Sequence, residues 1–227
     1  MPLRFDEFCP PVRVMWLEYK ENKMKNPLRY QMTEYDCGPT SMLNAISYLF
    51  HREEIPPEIV RNIMLYCLDC FGPDGASGKC GTSCMAMMFL SNWLSGFGQA
   101  GHLPVSSQYL SGRDVNFSQN GRLSDALRRK GAVVVRVDLE GWHYVLLTGI
   151  RKDMVYFFDP YYREEPFDDP DLQVETVCPE AYNRIAPIHY FEGNGVYSLP
   201  SPEKREAVLL FNENTKLTAE TTVDYVI

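Results

Sequence analysis

Four residues of this chain carry side chains that could together transfer an acyl group: Gln31, Cys37, His143 and Asp159. The stretch "YQMTEYDCGPTSMLNAISYLF", residues 30–50, sets Cys37 between a polar, turn-forming run and an apolar run of helical period. Asp36 before the cysteine and Gly38-Pro39 after it stop extended chain and open a helix. A thiol at a helix mouth meets unpaired backbone N–H groups and the positive end of the dipole, which favour thiolate over thiol. Such a nucleophile needs a base, and the base needs an orienting partner.

Of the four histidines, His51, His102, His143 and His189, only His143 begins a predicted strand whose hairpin partner ends in a carboxylate, Asp159. A three-residue turn at Arg151–Asp153 sets His143 opposite Tyr161, and a two-residue loop at Arg151-Lys152 sets it opposite Pro160. Either register leaves Asp159 within a couple of residues of the imidazole across the ladder. Gln31, six residues before the cysteine, adds a side-chain amide that could donate to a developing oxyanion together with the Cys37 backbone N–H.

The run "QMTEYDCG", with "AVVVRV", "GWHYVLLTGI" and "FFDP" downstream, resembles the papain-like cysteine peptidases, and among them the bacterial branch related to the peptidases that remove double-glycine leaders from bacteriocins. The likeness covers about residues 29–160. It implies a papain-like fold, with Gln31 in the oxyanion hole, Cys37 as nucleophile, His143 as general base and acid, and Asp159 as the orienting residue. Transglutaminase-like and arylamine acetyltransferase-like folds also use cysteine, histidine and aspartate; the upstream glutamine favours the papain-like reading. Relatives of this branch include an enzyme that makes amide bonds in closthioamide-type nonribosomal peptide assembly. The resemblance therefore implies an acyl-enzyme on Cys37 that either water or an amine resolves.

The elements that must position these residues change character along the chain. Residues 1–28 read as an N-terminal arm and 29–227 as the catalytic domain, with a helical half at about 29–130 and a β half at about 131–227. After Pro39, Met42, Leu43, Ile46, Leu49 and Phe50 recur at helical steps. "PPEIVRNIMLYCLD" follows with Ile59, Val60, Ile63, Met64 and Cys67 on one predicted face, and "FGPDGASGKCG" is a loop by its glycines. Thr82 or Ser83 caps the next helix, "CMAMMFLSNWL", whose methionines read as core. "GRLSDALRRKG" is a short helix closed by Gly131. "AVVVRVDL" is strand-like, "WHYVLLTGI" and "MVYFFDP" form a hairpin, and "REAVLLF" is a late strand. Helices first and antiparallel strands afterwards predict an α+β fold, the N-terminal helical half packed on a C-terminal antiparallel sheet.

Composition bounds the partners. With 45% hydrophobic residues the chain can bury a core, and a formal charge of −8 argues against nucleic acid. The N-terminal prolines and charges interrupt any signal-peptide core, and no window has the roughly 18 apolar residues of a membrane span, so a cytoplasmic protein without membrane or nucleic-acid partners is expected. The seven cysteines are an odd number, expected as thiols in that compartment. Cys67, Cys70, Cys80 and Cys84 have spacings that zinc could accept, although Cys67 lies on the apolar phase of its helix; no other metal or cofactor is called for. Trp142, beside the base, and Tyr35, two residues before the nucleophile, are candidate substrate-binding residues. With no exporter attached, the leading expectation is an ATP-independent amide-forming acyltransferase. Its substrates would be a peptidyl or acyl thioester on a carrier protein and an amine acceptor. A cytoplasmic peptidase acting on a peptide and a non-catalytic peptide-binding module are the alternatives.

Overall fold

A computed structural model describes residues 24–118 and 121–218; most of the proposed N-terminal arm, residues 1–23, lies outside them. Helix α1 (Cys37–Leu49) starts at the candidate nucleophile, and α2 (Pro57–Cys67) and α3 (Cys84–Gln99) follow. Pro57 at the first position of α2 gives up an N–H that had no helical partner anyway. Ser83 is the cap of α3, its hydroxyl accepting from Ala86 N–H at 3.1 Å.

Strand β1 (Val105–Ser111) comes next, then α4 (Arg122–Arg128), β2 (Ala132–Asp138), β3 (Trp142–Arg151) and β4 (Met154–Phe158). The chain ends with β5 (Gln173–Val174), β6 (Arg184–Pro187), the short helix α5 (Ile188–Glu192) and β7 (Glu206–Asn212). The strands make one antiparallel sheet in the order β1-β7-β2-β3-β4-β6-β5.

The expected α+β architecture is present, with two departures. Strand β1 falls inside the stretch read as helical, and closes the sheet against β7 rather than continuing the helices. The sheet is also covered on both faces. On one side α1, α2 and α3 bury Met42, Ile46, Ile63 and Leu90 against Val134 and Leu146. On the other, α4, α5 and the segment after α5 bury Leu123, Phe191 and Tyr197 against Val135 and Leu147. Burial on both faces explains why "AVVVRV" is a nearly continuous apolar run rather than an alternating one.

Two helical faces are narrower than their sequences suggest. Ile59, Ile63 and Cys67 of α2 are in the core, whereas Val60 and Met64 face out. In α3 Met87 is core, but Met85 is exposed. A stripe at i, i+4, i+8 fills the space over the sheet, and its neighbours turn past the contact line.

Candidate active site

The segment before α1 is folded by one carboxylate. Asp36 accepts hydrogen bonds from Met32 N–H at 3.0 Å, Thr33 N–H at 2.7 Å and the Thr33 hydroxyl at 2.6 Å. Burial would raise its pKa, but these donors outweigh it and hold the carboxyl below its ordinary value. The resulting turn brings Gln31 back along the chain. Helix α1 itself fixes the chain leading into it: the Asn44 side chain accepts from Arg29 N–H at 2.8 Å and donates to Arg29 O at 2.9 Å. Gln31 N–H then donates to Pro160 O at 2.9 Å, next to Asp159.

Helix α1 and strand β3 run side by side. The Ser41 hydroxyl donates to Tyr144 O and the Tyr48 hydroxyl to Thr148 O, each at 2.9 Å. From Cys37 to Tyr48 a helix rises about 16 Å, and from His143 to Thr148 a strand rises about 17 Å. The two elements therefore stay in step, and the thiol of Cys37 arrives beside the imidazole of His143, near enough to raise its pKa.

The β3–β4 turn is Lys152-Asp153, one residue later than the two-residue loop considered from sequence, with Arg151 paired to Met154. A register shift between Leu147 and Gly149 then inserts one extra residue, and Leu146 pairs with Phe158. Continued outward, that register sets His143 opposite Tyr161, as the three-residue turn would have done. The pairing stops at Phe158. Asp159, next in the chain, places Oδ1 2.7 Å from His143 Nε2, with both residues buried.

Three residues that sequence reasoning missed hold this aspartate. Asn183 accepts from Asp159 N–H at 2.7 Å and donates to Asp159 O at 2.8 Å. Tyr161 N–H donates to Oδ1 at 2.8 Å, and the Tyr197 hydroxyl donates to Oδ2. Asn44 had a legible signal, a polar residue on the Cys37 face of an apolar helix. Asn183 and Tyr197 had none, because each lies in irregular chain far from Asp159 in sequence.

Burial works to lower the His143 pKa, but the hydrogen bonds and charges of Asp159 and Cys37 outweigh it and raise the group to about 9. An imidazole raised to about 9 carries a proton at neutral pH, the form a general acid requires.

A cleft of about 440 Å³ opens at the His143 edge, with Gln31, Glu34, Glu140, Trp142, Tyr161 and Arg163 in its wall. Trp142 is exposed there, its ring covered by the Arg136 guanidinium at 4.2 Å. Tyr35 is not part of this wall; its carbonyl lies against Gly81. Gln31 Nε2 donates to Thr33 O at 2.8 Å, which leaves its second hydrogen for another acceptor.

Of the four cysteines grouped as zinc ligands, Cys70 interacts with Cys80 and Cys84, but Cys67 is turned away from them. Cys67 is fully buried on the core side of α2, where burial pushes its thiol well up, while Cys80 and Cys84 are exposed. Among the described residues no cluster of three or more ligating side chains could hold a metal ion. Also among them, no helix is long and apolar enough to cross a membrane.

The structure overlaps a double glycine motif protease from an AMS/PCAT transporter, solved in complex with the leader peptide. That match has 12% identity and a TM-score of 0.40, covering 84% of this chain and 94% of the other. The peptidase domain of Streptococcus mutans ComA gives 10% identity and a TM-score of 0.36, covering 82% and 98%. No curated protein matches. The sequence pattern of the Peptidase_C39 like family matches residues 23–185, a span that contains Gln31, Cys37, His143 and Asp159, and the chain belongs to that family.

Proposed function

We propose that the protein is a cysteine-dependent acyltransferase that captures an acyl group on Cys37 and passes it to an amine, forming an amide in the assembly of a peptide natural product. The observation that carries the acyl-transfer chemistry is the buried His143–Asp159 bond beside the Cys37 thiol. The Cys37 sulfur attacks the carbonyl carbon of a thioester on a carrier protein, the carrier's C–S bond breaks, and His143 gives its proton to the departing thiolate. The amine then attacks the Cys37 thioester and gives a proton to His143, and Cys37 leaves as thiolate. Gln31 and the Cys37 backbone N–H are assigned to the oxyanion in both steps. The thioester is already activated, so ATP is not required. Glu34 and Glu140 in the cleft wall support an amine acceptor, because carboxylates raise the local concentration of its cationic form, which gives one proton to solvent before the neutral amine attacks.

Family membership supports a second reading, a peptidase in which the same residues attack a peptide carbonyl and water resolves the acyl-enzyme. One experiment separates the two. The protein is incubated with an acyl thioester, with and without a primary amine, and products are followed by mass spectrometry. Amide formation is expected, with an acyl adduct on Cys37 that Cys37→Ala abolishes. Hydrolysis unaffected by amine would leave the peptidase reading. Full turnover by Cys37→Ala would overturn both, and the absence of any adduct with thioesters and peptides would favour a binding module.

A further inference from the structure

Tyr197 has a backbone that its side chain does not favour. Its φ is 65°, in the left-handed region that a bulky residue rarely enters, and it is fully buried. The turn is pinned to the end of β2: Tyr197 N–H donates to Asp138 O at 2.7 Å, and Asp138 N–H to Ser198 O at 2.8 Å. On the far side Leu199 N–H donates to Phe191 O at 2.8 Å. The ring stands edge-on to Phe157 at 4.9 Å between centroids. A ring needed only for packing could sit on relaxed backbone. This one is held in a strained conformation, and such strain collects where a side chain must be aimed.

Its aim is Asp159 Oδ2, while Oδ1 serves His143 and Tyr161 N–H. The buried Arg184 guanidinium lies against the phenol oxygen, and its nitrogens donate to Asn183 O at 2.8 Å and Tyr161 O at 3.3 Å. We propose that Tyr197, backed by Arg184, is a positioning residue that stops the Asp159 carboxylate from rotating and so keeps Oδ1 on His143. The proposal rests on the reading of Cys37, His143 and Asp159 as the reacting set. Burial, with the charge of Asp159, holds the Tyr197 hydroxyl far above its ordinary pKa, so it stays a donor throughout the working range. The other ionisable groups near the pair are Cys37 of α1, Arg184 of β6, and Glu34, Glu140 and Arg163 in the cleft wall.

Tyr197→Phe removes one oxygen and keeps the ring. Two readouts are taken: the titration midpoint of the His143 ring by NMR, and the pH dependence of Cys37 alkylation by iodoacetate relative to iodoacetamide. Neither needs a known substrate. An anchored carboxylate sustains the imidazolium; a rotating one sustains it less. The acid constant of His143 is therefore expected to rise about tenfold in the variant, a one-unit fall from about 9. The preference for iodoacetate should be lost over the same interval. Addition of Tyr197→Phe to Asp159→Asn should change nothing further, since the tyrosine acts through the aspartate. An unchanged His143 midpoint in Tyr197→Phe, whatever happens to the melting temperature, would overturn the proposal, as would additive effects in the double variant. Failure of the active-site reading shows differently: the native protein would form no acyl adduct, yet the His143 midpoint would still respond to Tyr197→Phe.

Discussion

His143 stands between two opposed influences, and the balance sets a pH window. Desolvation disfavours the imidazolium, while the Asp159 and Cys37 contacts favour it and win, lifting the group to about 9 from an ordinary value of 6.5. A folded-state pKa above the unfolded one contributes stability that is fully present below about pH 6.5 and is lost as pH rises through about 9. In the proposed mechanism activity should fall on the same alkaline limb, since His143 is assigned the proton given to the leaving group. Asp159→Asn removes the charge and presents an amide where a carboxylate stood. The alkaline limb of kcat/KM is expected to move toward neutrality and kcat to fall about a hundredfold; a pH–rate profile of the two proteins checks it. The residues proposed to react could be picked from the sequence because each combines a reactive type with a marked local setting: a helix mouth for Cys37, a strand start for His143, a strand end for Asp159. The residues that hold Asp159 were not. Asn183 and Tyr197 are ordinary polar residues whose role depends on where irregular chain happens to pass, and periodicity carries no information about that.

Helix α1 and strand β3 are the elements that turn sequence positions into geometry. The Cys37, Ser41, Asn44 and Tyr48 side chains all lie along the side of the helix that meets β3 or the chain before α1. The helical period of the apolar residues revealed the core face of α1, but nothing in it identified the backbone groups that Ser41, Asn44 and Tyr48 would meet. The start of the helix is set by a close approach from the loop before α3. A Cβ on Gly38 would come 2.2 Å from Thr82 Oγ1 and 2.8 Å from Thr82 Cβ. Gly38→Ala must therefore displace either the loop or the first turn of α1. Overpacking of this kind costs about 1–3 kcal/mol, and here the displaced turn carries Cys37, the proposed nucleophile. Urea denaturation should show a loss of that size, and acylation of Cys37 by a thioester should slow by more than the loss of folded protein explains. An alanine variant as stable and as reactive as the native chain would mean that Thr82 rotates away freely and the approach fixes nothing.

Across the whole molecule the sheet is stitched by one buried charge network that sequence reading passed over. Glu206 of β7 accepts from Arg136 Nη1 of β2 at 2.8 Å and from Tyr144 of β3 at 2.5 Å on one oxygen, and from Tyr109 of β1 at 2.8 Å on the other. Four strands thus meet on one carboxylate, and the same Arg136 guanidinium covers Trp142 at the cleft. The arginine in "AVVVRV" carried no sequence sign of this role, because its partner lies 70 positions away in another strand. Glu206→Gln keeps the shape but leaves the buried guanidinium without a countercharge. Breaking a buried pair from one side typically costs about 3–5 kcal/mol, and the unfolding free energy in urea is expected to drop by that amount. Replacing both partners, as Arg136→Met with Glu206→Leu, should recover much of the loss, since no charge then remains to be desolvated. If the double variant were as unstable as Glu206→Gln, the network would owe its value to the tyrosine hydroxyls rather than to the ion pair. A double variant that regains stability while Trp142 shows altered fluorescence would instead tie the cleft wall to the arginine and the fold to the absence of unpaired charge.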